Sequence, residues 1–541
     1  MTETPPLRIP LGAPFWFLVA GVPLVALDIS IMDTMLPEIV KQLNISVADA
    51  SLVDAITVTV GGAFMVPAGK LADLIGAKRV LLTGLIVLVA ASLATGMAMG
   101  LGVLITARIG QGIAFAMVLT TVLAILNRDY PQGLTRARAF SLFFASTVGA
   151  VGLAPLIGAL VGEHGSWRWA FLINAPLAVA VVIGVYRLTA RVPVARSMRS
   201  FDLLGSALFV FAMGLILFAI QQGSRYGWLW AQEGIAFLGR PWTIALSPTP
   251  VMLGLGALLL AAFAFLERWR AKRHLDVVLD TQLFHVRSYV WATIAIAMAV
   301  SASIGASLVT SLYAEYITGA SAITAGLMVA PMGAAVLVTG PVRGSLARFS
   351  GKTVSVIGIS GQLIAVLILI VAFSLEPIPL VIGGAMFLLG IAWIVGVSAM
   401  TSLALADVVT ELSGEAAGIQ AAARYLICGF AMVVMTTLLM SVTAFGVQKV
   451  SFTGLTGADR ATLDAVEQLK RPAFARGLAN ATDPAQRKEF EHYNQALRKT
   501  QQAIDEGTRA AGIVVALMLA IGVLAATRLP AQPVPKPPAK L

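Results

Sequence analysis

Fourteen apolar runs of about 20 residues recur along this chain, at 13–37, 48–69, 80–100, 102–126, 138–162, 168–187, 202–222, 249–267, 289–312, 322–343, 353–374, 379–405, 417–446 and 510–528. A helix rises about 1.5 Å per residue and the hydrocarbon core of a bilayer is about 30 Å thick, so each run can cross a membrane. The expected fold is therefore an all-α polytopic membrane protein with 14 transmembrane helices. Only 12% of the 541 residues are charged, about half the share in soluble domains. The first run is too long for a cleavable signal and lacks a small-residue cleavage site after it, so it is expected to remain as the first span.

An even number of spans puts both ends on one side of the membrane, and basic residues favour the cytoplasmic side. With the N-terminus inside, the short inside segments hold 22 Lys and Arg against 4 in the short outside segments. Both termini are thus expected to be cytoplasmic. The long hydrophilic connection at about 447–509 is left out of that comparison, because long loops translocate with little regard to charge. Asp483-Pro484 resembles a helix start, and Phe490, Tyr493, Leu497 and Ile504 follow at helical spacing. A helical hairpin over the outer mouth is expected there, either as a passive insert or as a gating or partner-binding element.

The net charge of +11 is spread in short clusters between spans rather than along one face, which argues for topology determinants and against nucleic-acid binding. The single cysteine, Cys428, excludes an intramolecular disulfide and a cysteine-based metal site. The four histidines, His164, His274, His285 and His492, are dispersed, and no glycine-rich nucleotide loop with its lysine is present. An enzyme is the least favoured class, and neither a cofactor nor a metal is expected.

Within the first run, Asp28 and Asp33 interrupt an otherwise apolar stretch, Leu24 to Pro37. A charge at bilayer depth costs about 2.5–3.5 kcal/mol on insertion scales, so such an acid is read first as functional. Burial away from water disfavours the charged form of a carboxyl, which lets a group of this kind load and unload a proton. The competing reading is that these aspartates only satisfy polar groups on a neighbouring helix. Asp54 in the second span is expected nearer the outer mouth, as a proton inlet or a point of attraction for cations, or else as an ordinary acid at a helix start. Arg108 in the fourth span, followed by Gln111 and Gly112, needs an acid or water nearby. It either tunes Asp28 and Asp33 or braces the helices as a fixed ion pair. Arg424 in span 13 poses the same question without an acid to assign to it.

After the second span, Gly69, Asp73, Gly76, Lys78 and Arg79 fall within about eleven residues. Glycines allow tight packing and a sharp turn. Asp73 can accept hydrogen bonds from a helix N-terminus or pair with an arginine, latching two parts of the molecule in one state. The segment Gly69 to Gly76 is echoed by Gly344 to Gly351 after the tenth span, which implies two related six-helix bundles. The expected division is an N-terminal bundle at 1–200, an inserted pair of spans with a linker at 201–288, and a C-terminal bundle at 289–541 that carries the hairpin. Span 5 holds Gly149, Gly152, Pro155 and Gly158, small residues for close helix approach with a kink between them.

These segments together resemble the fourteen-span drug and proton antiporters of the major facilitator superfamily, the group of quaternary-ammonium and dye exporters. Leu27-Asp28 through Leu36-Pro37, Gly69 to Arg79, Arg108 to Gly112, Gly149 to Gly158 and Trp167 to Pro176 are similar to its first-span, loop, fourth-span, antiporter and sixth-span motifs. The resemblance covers nearly the whole chain. Ala154 and Ala159 replace glycines of the antiporter motif, Leu74 and Ala77 replace basic residues of the loop signature, and Glu315 stands where a glutamine is more usual.

The resemblance implies proton-coupled efflux of hydrophobic, cationic compounds by alternating access, in a cytoplasmic (inner) membrane, by a monomer whose partners are protons, small amphiphiles and lipid. Asp28, Asp33 and Arg108 would couple protons. Asp54, Glu315, Gln111, Trp393 and Tyr425 would meet substrate, the two aromatics through cation–π contact. The rival readings are a dedicated exporter of one metabolite, lipid or siderophore, and a membrane sensor or scaffold.

Overall fold

The computed structural model describes residues 11–530 apart from 131–133, 165, 190–200, 233, 238–239, 274, 317–321, 340–345, 347–348, 374–378 and 449–483. Among the described residues fifteen α-helices follow one another: α1 (Ala13–Leu43), α2 (Val47–Ile75), α3 (Ala77–Gly96), α4 (Leu101–Asp129), α5 (Leu134–His164), α6 (Trp167–Leu172), α7 (Asn174–Leu188), α8 (Leu203–Tyr226), α9 (Pro248–Lys272), α10 (Arg287–Tyr316), α11 (Ala322–Ala334), α12 (Gly351–Ala372), α13 (Pro379–Ala404), α14 (Ser413–Gln448) and α15 (Pro484–Thr527). Their ends are set by local chemistry. Asn44 stops α1 in the left-handed conformation, and Ser46 opens α2 by accepting from the Asp49 amide at 3.0 Å. Gly76 alone joins α2 to α3 at φ 97°, where a side chain would be strained.

Thirteen helices among the described residues are long and apolar enough to cross a membrane, with α6 and α7 counting as one interrupted span. The fourteenth expected span, 322–343, differs. α11 ends at Ala334 and passes into a 3-10 turn at Ala335–Val338, leaving a shorter apolar helix over Gly326–Val338. Pro331 inside α11 lacks an amide donor, and Gly333 is pressed against α5. The last helix also departs from expectation. Its 44 residues correspond to about 66 Å, and only Glu506–Thr527 forms the span. The second arm of the expected hairpin therefore runs unbroken into the membrane, while the first arm and the side chains of Phe490, Tyr493, Leu497 and Ile504 lie outside the described residues.

One apolar core runs through both parts of the chain, and a second, smaller cluster packs Ile31, Met32, Met35 and Ile39 of α1 against Trp167 and Phe171 of α6. Large apolar side chains also face outward, among them Phe265 at 74% and Leu380 at 85% exposure. In water such a surface would be an aggregation liability; here it is the lipid-facing skin. α2 packs on α4 and on α14, α5 on α1, α11 and α13, and α10 on α13, α14 and α15. α8 lies against α2 and α14, with α9 on its outer side, where Gly256 lets α9 approach Ile216 and the Ala212 carbonyl of α8. A two-stranded hairpin, β1 (Ala236–Phe237) with β2 (Arg240–Pro241), sits between those two helices.

Candidate functional site

Charged side chains from three helices meet at Arg108, and a fourth helix adds an amide to one of them. Asp28 of α1 is 0% exposed, as is Arg108 of α4. The Arg108 Nη1 lies 3.3 Å from Asp28 Oδ2 and donates to Gln111 Oε1, one turn further along, at 3.0 Å. The other oxygen of Asp28 accepts from Asn174 Nδ2 at 3.0 Å. Asn174 opens α7 immediately after the break at Ile173, so the interruption in the sixth span is what delivers an amide to the acid. On the far side, Arg108 Nη2 lies 3.7 Å from Asp54 Oδ1 on α2, whose side chain keeps 31% exposure. Thr57, three residues along α2, donates its hydroxyl to the Arg108 carbonyl at 3.3 Å. That contact needs Gly112, where a Cβ would come within 3.0 Å of the Thr57 carbonyl oxygen.

The arginine thus serves two carboxylates of unlike accessibility. Asp54 belongs to the same cluster as Asp28. A proton taken up by either carboxylate removes one negative charge and leaves the guanidinium to the other.

A second cluster joins α2 to α14. Both oxygens of Asp73 accept backbone amides at the start of α14, from Gly414 and Glu415, each at 2.8 Å. A carboxylate at a helix N-terminus meets unpaired N–H groups and the positive end of the helix dipole. Beside it Lys70 Nζ pairs with Glu415 Oε2 at 3.0 Å, and Glu415 Oε1 accepts from the Asp280 amide. Asn127 of α4 donates to Ser413 Oγ at 2.9 Å and is itself held by Arg136 of α5 at 2.9 Å. The helices touch at glycine: a Cβ on Gly69 would come within 3.0 Å of the Gly414 carbonyl, and one on Gly418 would meet the Met65 carbonyl as closely.

Of the five residues expected in this latch, Gly69 and Asp73 cross to α14, and Gly76 forms the turn. Lys78 instead docks on the C-terminus of α7 through the carbonyls of Tyr186 and Thr189, and Arg79 of α3 turns back across the Gly76 turn to the Ile75 carbonyl at the end of α2 at 3.4 Å. Lys70, Gly414 and Glu415 are partners the sequence did not reveal. For Gly414 and Glu415 the signal was a Ser-Gly-Glu run just before span 13.

The linker between the inserted helices and α10 is fastened to the same cluster. Glu267 near the end of α9 accepts the amides of Val278 and Leu279 at 3.3 and 3.1 Å, and the next amide belongs to Asp280 on Glu415. Arg270 pairs with Asp202 at 3.1 Å, tying α9 to the start of α8.

Other expected residues are dispersed. Gly149 and Gly152 of α5 face Gly333 of α11, where a Cβ on Gly152 would fall within 3.0 Å of the Gly333 backbone; Gly158 is buried in α5. Trp393 is 4% exposed on α13, and its indole nitrogen has no hydrogen-bond partner among the described residues. Tyr425 is half-buried and meets Phe115 edge-on at 5.3 Å. The side chains of Asp33, Pro155 and Glu315, and the echo segment at 344–348 except Leu346, lie outside the described residues.

An ion cluster at bilayer depth in a bundle of spans, with polar contacts between helices far apart in sequence, is the build of a membrane transporter. The sequence profile of the Major Facilitator Superfamily matches residues 18–432, and the chain belongs to that superfamily of transporters. Among its relatives, "Multidrug resistance protein Stp" of Mycobacterium tuberculosis (strain ATCC 25618 / H37Rv) is 29% identical over 405 residues, 75% of this chain and 71% of that protein. "Methylenomycin A resistance protein" of Bacillus subtilis (strain 168) is 27% identical over 359 residues, 66% of this chain and 72% of that protein. The fold is similar to that of the proton:xylose symporter XylE, with a TM-score of 0.53 at 15% identity, covering 80% of this chain and 90% of that one. A bacterial homologue of the lysosomal transporter Spinster aligns over 95% of this chain and 97% of its own, with a TM-score of 0.50 at 14% identity.

Proposed function

We propose that this transporter exports hydrophobic compounds bearing a cationic group in exchange for protons, as fourteen-span drug and proton antiporters do. The observation that carries the reading is the fully buried Asp28, bonded to Arg108 and Asn174 from two other helices beside the partly exposed Asp54. In this reading the 31% exposure of the Asp54 side chain lets water and cations reach it. Charge placed there competes for Arg108, and a proton on Asp28 releases Arg108 towards Asp54. Cation entry and proton exchange are then linked through one guanidinium. Asp28 is the proton site, Arg108 with Gln111 positions it, and Asp54, with Asp33 and Glu315, attracts positive charge. Tyr425 and Trp393 supply aromatic surface. Relatives named for drug resistance support outward movement of foreign compounds.

In this reading both termini face the cytosol, the α2–α14 seam closes the cytoplasmic end, and the helices before residue 200 rock against those after 289 with α8 and α9 as an inserted pair. The protein resides in the cytoplasmic membrane and works as a monomer without a cofactor. Reconstituted vesicles test the central point. Asp28→Asn should abolish dye-driven proton release while helicity and elution in detergent stay those of the wild type. Coupling retained at the wild-type rate would remove Asp28 from the mechanism.

A further inference from the structure

Arg424 stands in the second part of the molecule without the acids that Arg108 enjoys. It is 7% exposed on α14, and among the described residues it makes no hydrogen bond or ion pair. The ionisable groups beside it are the Tyr425 phenol and the Cys428 thiol, neither charged at neutral pH. Its position is mid-span, 11 residues or about 16 Å along α14 from Ser413. Charged groups at that depth nearly always pair with one another, with carbonyls or with what passes through the protein.

The neighbouring Gln420 amide is equally unsatisfied among the described residues. α14 faces α10 along a stripe fixed at three heights: Tyr289 Oη donates to the Ala416 carbonyl at 2.7 Å, Ser301 lies beside Cys428, and Gly305 receives Met435. Gln420 and Arg424 occupy the two turns between the first and second of these contacts, opposite the stretch from Thr293 to Ser301. Gln420 is 1% exposed, Ser301 0% and Thr293 8%. Among the described residues both amide atoms of Gln420 have no hydrogen-bond partner, while Ser301 Oγ and Thr293 Oγ1 have only the Cys428 thiol and the Tyr289 phenol beside them. Buried polar atoms left unpaired cost about 1–3 kcal/mol each, so the Gln420 amide beside an unpaired guanidinium marks a place built for an occupant. Guanidinium, amide N–H and two hydroxyls are all donors, and a guanidinium fork matches a carboxylate.

We propose that Arg424, Gln420, Ser301 and Thr293 form a site for an anionic group, either the carboxylate of a transported amphiphile or a free inorganic anion. With Asp54 offering negative charge elsewhere, the transporter takes compounds that carry both signs of charge. The transport consequence rests on the export reading above; the binding site itself does not.

Equilibrium binding on the full-length protein in lipid nanodiscs, at one pH and without a proton gradient, tests it. The probes are rhodamine B, a cationic dye with a free carboxylate, its ethyl ester, and chloride. For a substrate carboxylate, Arg424→Gln weakens rhodamine B at least tenfold and its ester less than twofold, while Gln420→Leu weakens rhodamine B three- to tenfold. For a free anion, both dyes respond alike and chloride raises the Tm of the wild type but not of Arg424→Gln. If Arg424→Gln fails to fold, Gln420→Leu and Ser301→Ala decide by the same comparisons. Unchanged dye affinities together with no chloride effect in any variant overturn the proposal. Because no gradient is applied, a failure of proton coupling leaves this result standing.

Discussion

Replacing Gly69 by alanine should open the seam between α2 and α14. The added methyl would sit within 3.0 Å of the Gly414 carbonyl oxygen, whereas carbon and oxygen in ordinary contact stay about 3.3–3.6 Å apart. Backbone on both sides leaves no flexible end to give way, so the helices must part by about 1 Å. The two Asp73 bonds, now 2.8 Å each, then stretch beyond the range of a hydrogen bond. Bonds to a charged acceptor contribute about 1.5–3 kcal/mol apiece. Water entering the parted end restores part of this, leaving a weakening of about 3 kcal/mol, or roughly a hundredfold in the ratio of closed to open forms.

Spin labels at Arg79→Cys and Val409→Cys, both exposed positions, in a Cys428→Ser background would report the separation across this end. Gly69→Ala should shift the distance distribution to longer values, and Asp73→Asn should do so less, since an amide oxygen still accepts one bond. A wild-type distribution and wild-type transport in Gly69→Ala would refute the reasoning.

Gly152→Ala should force α5 from α11 at Gly333 and lower the thermal midpoint in detergent, as overpacking of a tight seam typically costs about 1–3 kcal/mol. Glu267→Ala frees the amides of Val278 and Leu279, so hydrogen exchange over 276–285 should rise and transport should fall; unchanged protection there would show that the linker is held by other contacts. Asn174→Leu removes one of the two groups that bond Asp28. Loss of about 1.5–3 kcal/mol of charge-assisted bonding should cut proton-coupled transport about tenfold or more, with expression and folding unchanged; an undiminished rate would show that Arg108 alone suffices.

Hydropathy and charge are local properties, and what depends on them was legible in the chain itself. The spans, the acid at depth in the first of them, the arginine in the fourth and the glycine-acid turn after the second all follow from side-chain types at near neighbours in sequence. The same holds for the absence of an acid near Arg424 in its own span. A span broken by Pro331 was harder to read, because apolar composition does not report where a helix tightens into a 3-10 turn.

Pairing between helices was decided only in three dimensions. The polar groups that meet Asp73 lie 341 and 342 residues away, and the amide that meets Asp28 lies 146 away. Nothing in the spacing of either acid names its partner, because the bilayer selects each helix one at a time while contacts between helices depend on shape at glycine-lined seams. That Asp28 and Asp54 share one arginine, that Glu415 gathers Lys70 and the linker, and that Arg424 has no acid beside it among the described residues are products of packing. The hydrocarbon environment imposes the spans on the sequence; the close approach of the helices chooses which of their few polar groups act together.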